Sequence, residues 1–416
     1  MTQPLADVTA VDCQGFAGGF TLGTVQAGFR LVGKREMKGG FGVFNCEANR
    51  HLLGYQWASQ VSDPAEWEPV AVNYVFGNPP CSGFSTLSPK AFRGMDSKIN
   101  DCMWAFAEYG ARCYPQVMVF ESVQAAFKKG QSLMQSLRDK VETITGRRWT
   151  LYHVLHNAVS VGGCAQRKRY FWVLTQIPFG IEPPKVERIP SLESVIGDLL
   201  ELEWFQYEPQ PYTEEASWWA EPRRSRSGYV DGHEYYDSTY IRKSLDLITD
   251  ETGPWLEGER LQQRMLKYWR IYGDLHKSWA TRAPNLMRVY DGETEPRFWC
   301  GASQLTRWRW KEPARVITGA GLESVLHPMQ DRGLTHREVA RIMGFPDSWL
   351  IESFRDQRGI IRQTWGKGIP VDCGRWISGW VRNAILGEPG GYTGEMIGDR
   401  EHLLDFTNSY KTAVIQ

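Results

Sequence analysis

The 416-residue chain carries 48 Lys and Arg against 48 Asp and Glu, so its formal net charge is zero. It lacks the overall basic excess common in nucleic-acid binders, although a local basic stripe can still hold phosphates. Its 42% hydrophobic and 23% charged content is that of a soluble globular protein of about two or three domains, and no run of about 18 apolar residues reads as a membrane span.

Residues 1–13 lack a basic region followed by an apolar stretch, so a cytoplasmic protein is expected. The eight cysteines form no CxxC pair, and no His lies at zinc-ligand spacing from a cysteine pair. Neither a disulfide framework nor a metal site is expected.

Residues 1–182 alternate short apolar strands with helical stretches. Strands are predicted at Thr9–Cys13, 30–33, 72–76, 117–120 and 171–175, and a helix over 132–143. That alternation predicts an α/β domain with a doubly wound, mostly parallel sheet. From 183 to 312 the chain turns rich in Trp, Tyr and charge with weak periodicity, including Arg223, Arg224, Arg226 and Arg307-Trp-Arg-Trp-Lys311. A second, irregular domain is predicted there. Ordered patterns return over 313–387 and end in an amphipathic stretch at 374–386. Residues 388–416, opening Glu388-Pro-Gly-Gly391, read as a C-terminal tail or an added subdomain.

The chemistry-bearing residues recur at predicted strand ends, where open α/β sheets bind ligands. Gly77-Asn-Pro-Pro-Cys-Ser-Gly-Phe-Ser85 leaves one such end, with two prolines stiffening the approach to Cys81 and Gly83 freeing the chain after it. The strand at 117–120 ends in Glu121-Ser-Val123. Arg167 and Arg169 alternate on entry to the last predicted strand. The turn Asp12-Cys-Gln-Gly-Phe-Ala-Gly-Gly-Phe-Thr-Leu-Gly23 links the first strand to a helix, as glycine-rich turns do where backbone approaches a nucleotide. Glu36 closes the second strand, the usual place for an acid that grips a ribose.

In this order the blocks resemble the DNA cytosine-C5 methyltransferases over nearly the whole chain. Gly18–Gly23 with Gln26-Ala-Gly-Phe29 is similar to the family's cofactor motif, Gly77–Ser85 to its nucleophile motif, and Glu121-Ser-Val to its Glu-Asn-Val. Trp310-Lys-Glu-Pro313, Leu334-Thr-His-Arg-Glu-Val-Ala-Arg-Ile-Met-Gly-Phe-Pro-Asp347 and Gly366-Lys-Gly-Ile-Pro370 are similar to its later motifs. The resemblance implies a Rossmann-like methyltransferase domain that transfers a group from S-adenosylmethionine to a flipped-out cytosine in double-stranded DNA. It makes Cys81 the nucleophile, Glu121 the partner of N3 and the exocyclic amine, and Arg169 the holder of O2 with Arg167 nearby. Phe16, Gly18, Gly19, Phe20, Glu36, Pro80 and Lys367 fall to the cofactor, and 183–312 to target recognition. Ser85, Arg93, Arg223, Arg224, Arg307 and Arg309 become candidates for DNA contact, although each charge also suits a solvated surface. A monomer in a bacterial or phage-infected cell is implied. A tRNA-directed relative and an inactive DNA-binding relative stay open.

Three positions depart from the family. Gln14 stands where a Phe stacks on adenine, so Phe16 is the substitute considered. Ala165 replaces a Gln before the arginine pair. Asp63 is the only candidate for the acid that binds the adenine amine. Most informative, Lys367 replaces an Asn close to the transferring end of the cofactor. An ammonium there repels a sulfonium but attracts a carboxylate, which points to carboxy-S-adenosylmethionine and 5-carboxymethylcytosine. The alternative is that Lys367 turns to solvent or pairs with Asp372.

Overall fold

The computed structural model describes residues 7–37, 46–54, 59–81, 83–84, 94, 97–200, 308–317, 328, 334, 336–350 and 365–415, with short strands at 228–230, 233–235, 298–300, 303–307 and 325–326. Nine strands share one sheet: β1 (Thr9–Cys13), β2 (Arg30–Glu36), β3 (Ser59–Val61), β4 (Tyr74–Gly77), β5 (Val117–Ser122), β6 (Thr150–Asn157), β7 (Lys168–Thr175), β8 (Glu395–Gly398) and β9 (Glu401–Asp405). Their order is β8-β9-β6-β7-β5-β4-β1-β2-β3. Pairing is parallel from β3 through β5 and between β9 and β6. It is antiparallel where β7 lies between β5 and β6, and in the β8–β9 hairpin.

Both faces of this sheet are covered, which is why its inner strands are apolar without alternation. Along β5, Val117 and Val119 enter one core while Met118 and Phe120 enter the other. Helices α1 (Gly19–Gln26) and α5 (Val371–Ile385) pack on the first face. Helices α2 (Asp101–Arg112) and α3 (Gln124–Thr145) pack on the second. A short helix, α4 (His336–Ile342), adds Val339, Ala340 and Ile342 to the first core.

Two helices far apart in sequence meet backbone to backbone. A Cβ on Gly19 would lie 2.0 Å from the Ile369 carbonyl oxygen, and one on Gly23 would lie 2.4 Å from the Arg375 nitrogen. From β1 the chain runs outward to β2 and β3, then returns to place β4 on the other side of β1. The carboxyl ends of β1 and β4 therefore flank the reversal of strand order, the place where open sheets hold ligands.

Two sequence expectations change. The segment 388–416 is not a tail, because β9 pairs parallel with β6 along Leu151–Leu155 and extends the sheet. This join is also polar. Within the core, His153 Nε2 meets Glu401 Oε1 at 2.6 Å and His153 Nδ1 meets the Tyr170 hydroxyl at 2.7 Å. The ends of 183–312 also lean on the first core, through Leu192, Ile196 and Trp308. Leu192 N–H donates to the Glu312 carbonyl at 2.9 Å, tying those two ends together. The residues between, 201–307, are described only as short backbone strands, so the predicted second domain, with Arg223, Arg224 and Arg226, lies outside the described side chains. Among the described residues no helix is long and apolar enough to cross a membrane.

A chain ending after Gly387 should aggregate or melt at lower temperature, because β6 becomes an exposed edge and His153 loses its carboxylate. Glu401→Leu in the full chain should cost about 1–3 kcal/mol in denaturant unfolding, the usual penalty for orphaning a buried polar partner.

Candidate active site

β4 ends at Gly77, which has no room for a side chain because a Cβ would sit 2.2 Å from the Cys13 carbonyl oxygen. That contact holds β4 close to β1 and delivers the next residues to the carboxyl edge. Asn78 is buried, and its amide donates from Nδ2 to Glu121 Oε2 at 2.5 Å and to the Glu121 carbonyl at 3.3 Å. Pro79 and Pro80 follow, and then half-buried Cys81 with a free thiol.

Glu121 is 1% exposed near the end of β5. Its Oε1 lies 2.9 Å from Arg169 Nε. Burial pushes the Glu121 carboxyl up to about 7, against the pull of Arg169, Arg167 and Asn78. The same surroundings act on Cys81. Burial and then the Glu121 charge raise its thiol, while Arg169, the Val123 N–H and Ser122 draw it down. Thiol, carboxyl and guanidinium thus share one electrostatic site, the arrangement of a nucleophile beside a proton-holding acid.

The two arginines part company. Arg169 keeps its side chain 15% exposed and faces Glu121. Arg167 is fully buried, donating to the carbonyls of Ile317, Gly366 and Gly368, each at 2.7 Å. Its guanidinium is committed to the scaffold, while its charge still acts on Glu121. Its three acceptors lie on segments of the later motifs, one of which carries Lys367. Lys367 is exposed overall, yet burial around its ammonium lowers its pKa and a Cys81 thiolate opposes that fall. Lys367 is therefore within electrostatic reach of Cys81. Asp372, the acid considered as its partner, is bonded to Arg375 at 2.7 Å.

On the other side of the strand reversal lies the glycine-rich turn. Gly18 and Gly19, assigned to the cofactor from sequence, are needed by the chain itself. A Cβ on Gly18 would meet the Trp349 ring at 2.6 Å, and Gly19 abuts Ile369. Phe20, also so assigned, is wholly in the core against Phe76 and Phe171. The polar groups here lie at the end of β2 and in the turn itself. Glu36 at the end of β2 is buried, accepts the Met37 N–H at 3.2 Å, and is pushed up to about 7 by burial against Lys34. Gln14 and Phe16 hold left-handed backbone, φ 63° and 44°, in the turn itself. A buried carboxyl with spare acceptor capacity beside a strained, polar turn fits the sugar and base of a nucleoside cofactor.

Asp63 caps the turn at Pro64–Glu66, accepting the Ala65 N–H at 2.9 Å. Arg309 is exposed and paired with Glu312 at 3.0 Å. Ser85, Arg93, Arg223, Arg224 and the side chain of Arg307 lie outside the described residues. Sequence reasoning gave no role to Asn78 or His156. His156 is buried on β6 opposite Arg169 and stacked on Phe171 at 4.6 Å, with its pKa lowered to about 3 by burial, Arg169 and Arg167. Only the position of Asn78 directly between a strand end and the Pro-Pro-Cys turn could have singled it out.

A sequence profile described as C-5 cytosine-specific DNA methylase matches residues 9–379. Among solved structures, the chain is similar to one described as a DNA modification methyltransferase encoded within an E. coli prophage. Identity is 16% and the TM-score 0.56, covering 91% of this chain and 100% of that one. It is also similar to the Entamoeba histolytica methyltransferase EhMeth at 9% identity and TM-score 0.51, covering 92% and 99%. At such identities the structures speak for the fold alone, a large mostly parallel sheet of Rossmann-like methyltransferase type. The profile spans most of the chain and carries the assignment: this protein belongs to the C-5 cytosine-specific DNA methylase family.

Proposed function

We propose that the protein modifies C5 of a flipped-out cytosine in double-stranded DNA, with Cys81 as nucleophile. The observation that carries this reading is the convergence of Cys81, Glu121 and Arg169 at the carboxyl edge of the sheet, with Arg169 Nε 2.9 Å from Glu121. C5 of cytosine is too weak a nucleophile to attack an alkyl sulfonium unaided. Addition of the Cys81 thiolate to C6 forms an S–C6 bond and moves the C5–C6 electron pair to C5. Protonated Glu121 hydrogen-bonds N3 and the exocyclic amine, offsetting charge on the ring, and Arg169 holds O2. C5 would then take the carbon as its bond to the cofactor's sulfonium breaks and the thioether leaves, a base would remove the C5 proton, and the C6–S bond would break to release the thiolate. Bound S-adenosylmethionine supplies an activated methyl carbon. Glu36 would hold its ribose hydroxyls, and Pro80 and Phe16 would flank the slot. Ser85 and Arg93, which follow Cys81 in sequence, are candidates for contact with the DNA around the base. Arg223, Arg224, Arg307 and Arg309 are the candidates for phosphate or guanine contact.

Lys367 favours a second reading of the transferred group. At about 4 Å and an effective dielectric near 20, an ammonium and a sulfonium repel by roughly 4 kcal/mol, and a carboxylate on the transferred carbon reverses the sign. Carboxy-S-adenosylmethionine carries such a carboxylate, giving 5-carboxymethylcytosine. The thiolate of Cys81 acts on the Lys367 ammonium against the larger effect of burial, which supports a place for Lys367 on the Cys81 side of the site.

Nucleoside mass spectrometry of duplex DNA treated with either cofactor should show 5-methylcytosine or 5-carboxymethylcytosine. Lys367→Asn should shift the preference toward the uncarboxylated cofactor by at least about tenfold; unchanged preference makes Lys367 neutral. Modification of tRNA but not of duplex DNA overturns the DNA reading. With the cofactor present, duplex DNA bearing 5-fluorocytosine, which after transfer has no C5 proton to lose, should form a denaturant-stable adduct with the protein that is absent in Cys81→Ser.

The pH profile of kcat/KM should carry the Glu121 signature. The reactive form holds a proton on Glu121 and none on Cys81. Below about pH 7 Glu121 keeps its proton and the rate rises with the thiolate fraction. Above about 7 the two ionisations cancel and the rate levels until Cys81 itself ionises. Glu121→Gln should lower the rate by about 10²–10⁴-fold and remove the break near pH 7.

A further inference from the structure

Gln14 is 2% exposed, yet its side chain is poorly satisfied. Its Nε2 donates at 3.0 Å to the thioether sulfur of Met37, a weak acceptor, and its Oε1 has no partner. Its backbone is strained at φ 63°, and its N–H is tied to the Arg35 carbonyl at 2.9 Å. The turn therefore holds an unsatisfied amide beside the end of β2, at a cost that packing alone does not explain.

The neighbours say what the amide faces. Glu36 immediately precedes Met37, and an acid at that strand end takes the ribose hydroxyls of a nucleoside. A base carried on that ribose would fall toward Met37, which touches both Glu36 and Gln14. Cys102 at the start of α2 closes that side, its thiol donating to Met37 Sδ at 3.6 Å. Two sulfurs supply polarizable walls for a flat ring. One amide supplies a donor and an acceptor, the pair that matches the amino group and adjacent ring nitrogen of adenine.

We propose that Gln14 is the adenine-reading residue of the cofactor site, accepting from the 6-amino group through Oε1 and donating to a ring nitrogen through Nε2. The assignment rests on the nucleoside-cofactor reading above, and it does not depend on which carbon group is transferred. It shifts base recognition from Asp63, whose carboxylate caps a turn, to the turn that follows β1.

The test is calorimetric binding of S-adenosylhomocysteine and of S-inosylhomocysteine, in which a 6-oxo group replaces the amine, to the full chain. Wild type should prefer the adenosine compound by about 10- to 100-fold, the range for one orphaned buried hydrogen-bonding group. Gln14→Leu should bring the ratio close to one while leaving affinity for the inosine compound nearly unchanged. Should the strained backbone prevent Gln14→Leu from folding, judged by its thermal melt, Gln14→Asn tolerates left-handed φ and is one methylene too short, so the same loss of preference is expected. An unchanged ratio in a folded variant overturns the proposal, as does equal binding of both compounds by wild type. Failure of wild type to bind either compound overturns the cofactor reading along with it.

Discussion

The guanidinium of Arg167 joins stretches of chain that the sequence holds far apart. It leaves the polypeptide one residue before β7, and its hydrogen bonds end on Ile317, Gly366 and Gly368. Those carbonyls belong to the segments that return after residues 201–307. Three charge-assisted bonds to backbone in a dry core are strong and directional. They set the height of the Gly366–Gly368 turn above the sheet edge, and hence where Lys367 stands relative to Cys81. The close approach of α1 to α5 acts in the same direction, since Ile369 can rest on Gly19 only if that turn is already in place. A substitution at Arg167 would thus disturb the site without touching any reacting atom.

Around Cys81 the charges are arranged so that no group is comfortable in its ordinary state. A buried carboxyl is pushed up by loss of water and pulled down by Arg169 and Arg167, and comes to rest near neutrality. The thiol feels the same carboxyl as a repulsion and the same Arg169 as an attraction. Such balance leaves the carboxyl able to hold or release a proton near neutral pH. His156 sharpens it. Being buried beside the arginines keeps its imidazole neutral, so it adds no third positive charge.

Much of the fold was legible because fully buried parallel strands advertise themselves as short apolar runs. β1 was read to the residue, and β4 and β5 to within two. β6 and β9 were not, because His153, His156 and Glu401 break the apolar pattern; His153 and Glu401 are reconciled by their bond across the sheet, and His156 by stacking on Phe171. In the site, Cys81, Glu121 and Arg169 were legible as a set because strand ends are where such groups converge. At Gly18 and Gly19 the missing side chain leaves open, in sequence alone, what occupies that space. Trp349 and Ile369 fill it here. Arg167 and Arg169 were indistinguishable in sequence, since what separates them is a set of carbonyls some 150 to 200 residues away.

The cofactor side of the crevice depends on a buried ion pair that is a poor bargain as a source of stability. Lys34 Nζ lies 2.5 Å from Asp12 Oδ2 with both side chains fully buried, and desolvating two charges offsets most of their attraction. Its position suggests what it does instead. Asp12 and Lys34 are register partners across β1 and β2, and the register shifts between Ala10 and Val11 to align them. A slip of one residue would turn Lys34 toward the opposite face and leave both charges alone in the core. The pair therefore penalises every register but one, and in that register the end of β2 lies directly beside the turn after β1. Thr21 adds its hydroxyl to the same carboxylate at 2.6 Å, so the first helix is indexed by the same acid. Strand, turn and helix are fixed together, and Glu36, Met37 and Gln14 are brought to one place by a contact made within the chain.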